Sequence, residues 1–365
     1  MKVKLEDVCE RASSNLRQSD VERKSGKYPI FGAAGYIGSV NFYHQERPYI
    51  AVVKDGAGIG RTMLLPAKSS VIGTMQYLLP KETVLPEYLF YVVRSMNLEK
   101  YFSGATIPHI YFKDYKREEF NLETLDRQAE IVAILRKAEV ILSARQQQLQ
   151  KLDELVKSRF IELFGDLVTG NKVNTNKKRI GEIASVTKLA GFEFTKYIQY
   201  KERGDIIMLR GLNCKNGHLI LDDIKWIDKE TSDLLPRSKL HYGDILMTYA
   251  GTIGDIAMVD ANDKYHLAPN VAKITVNDMN AYNPVFLMHL FMYTNDYIMT
   301  FASAVAQASI NMKKIRGFEY YFPSIEKQNQ FAAFVEQTDK SKVSIQKALD
   351  EAQLLFDSLM QKYFG

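Results

Sequence analysis

Two stretches of the chain carry apolar residues at steps that alternate between four and three. In the first, positions 131, 135, 138, 142, 149, 152, 156, 160 and 163 hold Ile, Leu, Ala, Leu, Leu, Leu, Val, Phe and Leu. In the second, positions 331, 335, 338, 345, 349, 352, 356, 359 and 363 hold Phe, Val, Thr, Ile, Leu, Ala, Phe, Leu and Tyr. This spacing is that of a coiled-coil seam and predicts long helices over 126–164 and 326–364. Neither stretch contains Pro or Gly, and at 1.5 Å per residue each helix would run about 58 Å. The expected seam residues are Ile131, Leu135, Leu142, Leu149, Leu152 and Val156 on one helix and Phe331, Val335, Ile345, Leu349, Phe356 and Leu359 on the other. The seam is broken by Arg145 where its repeat has Ile345, and by Lys342 where its repeat has Leu142. A sheet-rich lobe has no need of such a helix for its own core. The expected partner of each helix is therefore the other, in an antiparallel pair with the lobes at opposite ends.

Ahead of each helix the period shifts towards two. Tyr49–Val53, the glycine-rich run Asp55–Gly60 and Thr62–Leu65 read as strand, tight turn, strand. Asp244–Tyr249, Ala250–Gly254 and Ile256–Val259 read the same way. A helix opening on proline follows in each half, Pro86–Val93 and Pro284–Leu290. The short amphipathic stretch Val3–Val8 has its counterpart in Arg179–Ala184.

These matches form a repeat. Gln128 and Gln328, Lys113 and Lys313, Ile110 and Ile310, and Phe164-Gly165 and Phe364-Gly365 stand 200 positions apart. Repetition of one unit is the strongest single clue to architecture. The expected fold is α+β. It has two β-rich lobes, each followed by a long helix, and the helices pair with pseudo-twofold symmetry. The expected boundaries are a first lobe at 1–125, a helical region at 126–166, a linker at 167–178, a second lobe at 179–325 and a second helical region at 326–365. The polar, unperiodic segment Asp166–Arg179 is read as an exposed linker.

Composition changes this picture little. The 365 residues are 46% hydrophobic and 25% charged, with a net charge of +5. That is ordinary for a globular protein and permits nucleic-acid binding without arguing for it. No run approaches the ~18 apolar residues that would span a bilayer. The start Met-Lys-Val-Lys-Leu-Glu-Asp has no apolar signal region, so a cytoplasmic location is expected. Cys9 and Cys214 fall in different repeats and suggest reduced thiols.

Catalytic constellations are weak. The run at 55–60 is followed by a strand, whereas a phosphate-cradling loop needs a helix N-terminus, so it reads as a turn. Asn283-Pro-Val-Phe286 lacks the second Pro of an aminomethyltransferase motif and sits at a helix start. Asp205 with Asp223 and Lys225, or Asp20 with Glu22 and Lys24, has nuclease residue types, but neither trio recurs in the other half. The six histidines show no pair at metal spacing. No cofactor or metal is expected on this chain.

Basic and polar residues instead gather with aromatics in each lobe. The candidates for DNA contact are Lys24, Lys27, Tyr28, His44, Arg47, Lys54 and Arg61 in the first lobe. In the second they are Lys196, Tyr200, Lys201, Arg203, Arg210, Asn213, Lys215 and Asn216. Lys and Arg neutralise phosphates, while Arg and Asn read base edges. Any one of them alone is an ordinary solvated side chain. The segment entering each helical region adds Thr106, His109 and Lys113, and Gln307, Ser309, Asn311 and Lys313. Its apolar positions are core, and its polar loop is either solvated filler or a contact surface.

The whole chain resembles the specificity (S) subunits of type I restriction–modification systems. The resemblance is carried by Gly26-Lys-Tyr-Pro-Ile-Phe-Gly-Ala-Ala-Gly35-Tyr-Ile-Gly38, Pro48-Tyr-Ile, Asp55–Gly60, Gly243-Asp-Ile-Leu, Gly251-Thr-Ile-Gly254 and the polar loop before each helix. It implies two target recognition domains that each bind one half of a split double-stranded DNA sequence. It also implies a coiled coil that sets the spacer, two methyltransferase (M) subunits carrying AdoMet, and restriction (R) subunits using ATP and Mg. The chain itself would be non-catalytic and free of membrane. The glycine-rich segments of the two lobes differ, which implies an asymmetric target. Two other readings are a coiled-coil adaptor without DNA readout and an autonomous nuclease or methyltransferase. The first would leave no footprint, and the second would act without partners.

Overall fold

A computed structural model describes residues 1–21, 25–104, 108–170, 176–303 and 308–365. The chain divides into two units, Met1–Gln147 with Ile345–Gly365, and Gln148–Ser344. Each long helix therefore contributes to both. The helices run Leu125–Phe164 and Ile325–Phe364, one residue longer at the start than the periodicity predicts.

In the first unit an antiparallel sheet is ordered Cys9–Ser13, Met75–Pro80, Tyr49–Val53, Thr62–Leu65. Tyr49–Val53 is buried at every position, as a central strand covered on both faces must be. Alternation sorts its side chains. Ile50 and Val52 join the core beneath the helix Pro86–Ser95, while Tyr49, Ala51 and Val53 pack with Leu65, Val71, Met75 and Tyr77 on the opposite face. A three-stranded sheet of Gly35–Val40, Tyr28–Gly32 and Ser70–Val71 lies beside it, and Lys2–Lys4 pairs with Glu119–Asn121.

The second unit repeats this plan. Its sheet is ordered Ala184–Lys188, Val271–Val276, Ile245–Thr248, Ile256–Met258. The helix Pro284–Tyr293 covers it, and Lys177–Arg179 pairs with Glu319–Tyr321. A second four-stranded sheet is added here, ordered Lys225–Ile227, Ile206–Leu209, Tyr265–Leu267, Lys239–Leu240.

Two expectations need correction. The lobes do use the long helices for their cores. In the first unit Ile131, Val132, Leu135 and Ala138 share one cluster with Ile50, Leu89, Val92 and Phe356. In the second, Phe160 touches Phe286 at 5.7 Å, Tyr293 at 5.2 Å and Phe331 at 5.2 Å between ring centroids. A two-helix seam leaves much apolar surface wet, and the lobes cover it. The linker is also narrower than read. Leu167 is buried in the core and its carbonyl accepts from the Tyr321 backbone N–H, while Asp166 accepts from Val168 and Thr169 N–H. Lys177–Arg179 is a strand. Residues 171–175 lie outside the described residues.

Within each unit the helix segments run antiparallel. In the first, the Arg127 guanidinium sits 6.0 Å over the Tyr363 ring, and Ile131–Ala138 share a cluster with Phe356. In the second, Phe331 packs on Phe160 and Phe164, and further along Lys342 Nζ lies 2.7 Å from Asp153 Oδ1. Seam residues Val156, Phe331, Val335 and Phe356 are buried; Leu142, Leu149, Leu152, Ile345, Leu349 and Leu359 are half-buried. Lys342, a seam break, is held between Asp153 and Asp339. Burial opposes its charge, but the two carboxylates outweigh this and raise its pKa above the ordinary lysine value.

Candidate nucleic-acid interface

The glycine-rich segment of the first unit is a hairpin turn. Val53 N–H donates to Arg61 O and Gly60 N–H to Val53 O, both at 2.9 Å. Gly56 and Gly60 have φ of +94° and +80°, and a Cβ on Gly60 would come within 2.7 Å of Glu99 N. Only glycine fits there.

The polar segment that follows docks onto this turn. Ile110 N–H donates to Lys54 O at 2.9 Å and Gly56 N–H to Pro108 O at 3.0 Å. Ser103 and His109 exchange backbone bonds at 2.9 and 2.8 Å. The His109 Nδ1 lies 2.6 Å from Asp55 Oδ1. Tyr111, which sequence reasoning missed, is exposed, and the Lys113 ammonium sits 5.3 Å over its ring. Its place directly after the repeated Ile110 was the available signal.

The second unit builds the same frame from other side chains. Thr248 N–H donates to Asp255 O at 3.0 Å and Gly254 N–H to Thr248 O at 2.9 Å. Ile310 N–H donates to Tyr249 O at 2.8 Å, and Ser303 N–H to Ser309 O at 3.0 Å. Lys188 lies 5.6 Å over the Tyr249 ring. Asn311 caps the helix Met312–Arg316 by accepting from Lys314 N–H, leaving Lys313 exposed on its first turn.

The structure thus groups Lys54, Arg61, His109 and Lys113 around one turn-and-loop rim, and Ser309, Asn311 and Lys313 around the other. Arg61 donates to Ala33 O at 3.1 Å. The remaining candidates lie elsewhere in their lobes. Lys27 precedes the strand Tyr28–Gly32, and Tyr28 meets Tyr43 edge-on at 4.8 Å. His44 is held by Tyr77 OH and Ser70 Oγ, and Arg47 is exposed. In the second unit Lys196 follows the exposed Phe192 on the helix Gly191–Tyr197. Tyr200 packs on Phe194, Lys201 pairs with Asp228, and Arg203 and Lys215 are exposed. Lys24, Thr106 and Gln307 lie outside the described residues.

Three candidates serve the lobe itself. Asn213 is fully buried; its amide accepts from Arg210 N–H and donates to Ile220 O and Asp223 O. Arg210 donates to the Asp223 carbonyl and carboxylate. Asn216, at φ +50°, and Gly217, at +84°, form the two-residue turn between Cys214–Lys215 and His218–Leu219. Both thiols are free and buried, and burial pushes Cys9 and Cys214 up to about 12. Among the described residues no group of three or more His, Cys, Asp or Glu side chains could hold a metal ion, and no helix is long and apolar enough to cross a membrane.

A duplicated α+β lobe, with one polar rim per copy and a long helix after each, defines the class of molecule. The chain belongs to the family described as the type I restriction modification DNA specificity domain, which matches residues 1–154 and again 172–353. It is 28% identical over 159 residues to the type I restriction enzyme EcoBI specificity subunit of Escherichia coli; the match spans 43% of this chain and 33% of that protein. Its fold is similar to the type I restriction–modification S subunit from M. genitalium, with a TM-score of 0.62 and 16% identity over 100% of this chain and 96% of that one. A chain solved in work on assembly and conformational transition of the type I R-M system gives a TM-score of 0.59 and 14% identity, covering 100% and 97%.

Proposed function

We propose that this chain is the reader of a type I restriction–modification enzyme and that its target is bipartite and asymmetric. The observation that carries the reading is one frame built twice with different side chains. Lys54, Asp55 and His109 line the first rim where Tyr249, Ala250 and Ser309 line the second. A conserved backbone frame with divergent side chains is what reading two different half-sites in two major grooves requires. The exposed cations Arg47, Arg61, Lys113, Lys196, Arg203, Lys215 and Lys313 supply phosphate contacts. Catalysis resides in partners: two M subunits with AdoMet methylate adenine, and R subunits with ATP and Mg translocate and cleave. The coil fixes the spacer between half-sites, because a helical seam has one register and a set rise per residue.

The test is genome-wide sequencing of methylated adenines in cells carrying this chain with its M partner. A two-part motif with unlike halves is expected. One helical turn inserted into the coil should lengthen the gap between the halves and leave both halves unchanged. A gap that stays constant would overturn the ruler, and a single continuous motif would overturn the two-lobe reading.

A further inference from the structure

The rim of the first unit contains a side-chain bridge with no counterpart among the described residues of the second. His109 Nδ1 stands 2.6 Å from Asp55 Oδ1, at the antiparallel bridge between the two residues. The corresponding bridge in the second unit joins Ala250 to Ser309, where no carboxylate or imidazole is present. A carboxylate only accepts hydrogen bonds, so Nδ1 donates its proton to Asp55. In the neutral ring the lone pair then lies on Nε2, and the tautomer is fixed by the partner.

The ring is also fixed in place. Its backbone is bonded on both sides, to Ser103 and through Ile110 to Lys54. Its face lies over Tyr111 at 6.3 Å with an interplanar angle of 23°. The side chain is 36% exposed, and among the described residues Nε2 has no hydrogen-bond partner. Lys54 Nζ lies 3.8 Å from the other oxygen of Asp55, so the carboxylate is anchored too.

A rigid acceptor at the rim of a DNA-reading lobe selects for hydrogen-bond donors on base edges. In the major groove those are the cytosine N4 and adenine N6 amino groups; guanine N7 and O6 and thymine O4 are acceptors. Resting on the DNA-reading proposal above, we propose that His109 reads an amino-bearing base, cytosine or adenine, in the half-site of the first lobe, with Asp55 as its positioning residue. Ser309 cannot exercise this choice, because a hydroxyl rotates to donate or accept. The rule therefore applies to one half-site only.

The experiment is methylation-motif sequencing for wild type, H109A, D55A, the double variant and H109Q, each with the M partner in cells. The half-site of the other lobe is the internal control. H109A should relax one position of one half-site, with discrimination falling on the order of tenfold. D55A should relax the same position by less, since the ring then swivels and exchanges tautomers. The double variant should match H109A alone, because Asp55 acts through His109. H109Q keeps an acceptor in Oε1 and should retain the base. An unchanged motif in H109A, or a double variant that relaxes the motif further than H109A does, overturns the proposal. Should H109A abolish all modification, failure of H109Q to restore the same base overturns it as well. Absence of any motif in wild type would instead sink the DNA-reading function.

Discussion

Gln128 and Gln328 sit fully buried in the first turn of the two long helices, and each amide is spent on the backbone of its own lobe. Gln128 Oε1 accepts from Leu85 N–H at 2.8 Å, while Nε2 donates to Thr83 O at 3.0 Å and Glu123 O at 2.9 Å. Gln328 accepts from Asn283 N–H at 2.9 Å and donates to Pro323 O at 2.8 Å. Each glutamine ties the start of the lobe's covering helix to the start of the long helix. Truncation leaves the part-buried Leu85 N–H and two carbonyls without this partner and opens a small void under the buried Gln128. Q128A should therefore lower the stability of the first unit by about 2–4 kcal/mol. Urea unfolding measures this, and a loss below about 1 kcal/mol would refute the role. That the glutamines recur was legible in the sequence; their partners, some forty residues earlier, were not. The same blindness made Asn213 look like a base reader, since an amide spent on its own loop has the same residue type as a free one.

The helix Pro284–Tyr293 shows what a single element adds. Its proline start and apolar run were legible, and it is buried at six positions, one of them His289. Burial pushes this imidazole down to about 4, against the Val285 carbonyl and Asp339, which favour its charge; Lys342 and His218 add to the depression. It stays neutral in the fold, while an unfolded histidine takes a proton near pH 6.5. Its contribution is complete above pH 6.5 and is lost as pH falls towards 4, by up to about 3 kcal/mol. Trp226 is the single tryptophan and lies in this unit, so its fluorescence reports the loss. H289F should flatten most of that slope, leaving what buried His266, also lowered by burial, contributes. An unchanged slope would place the cause elsewhere. The long helices were legible almost to the residue. That their ends double as lobe core was not, because a seam pattern records which positions are apolar and not what covers them.

For the whole molecule, the repeat and its two lobes were visible as a constant offset. The division of the structure was not, because each unit draws on both halves of the sequence. In the first unit Phe356 joins the core with Ile131 and Leu135, and Phe364 meets the Tyr88 ring at 5.3 Å. A chain stopped after Ser344 should keep the second unit, with native Trp226 fluorescence, and lose the first. Hydrogen exchange in Pro86–Ser95 should rise towards that of an open segment. A peptide of residues 345–365 added in trans should restore protection. Full protection without the peptide would show that the first lobe closes its core alone.

That division also sets a schedule for synthesis. Residues 1–147 are translated first, yet their core is finished by residues 345–365. The intervening 197 residues, 148 to 344, take about 10–40 s at ~5–20 residues per second. During that interval Ile131, Leu135 and Ala138 wait with part of their cover missing. The second unit, contiguous in sequence, can close in the meantime. The lobe encoded first is thus the lobe completed last, and a growing chain can expose an apolar helix face to chaperones or to other nascent copies until its final turns are made.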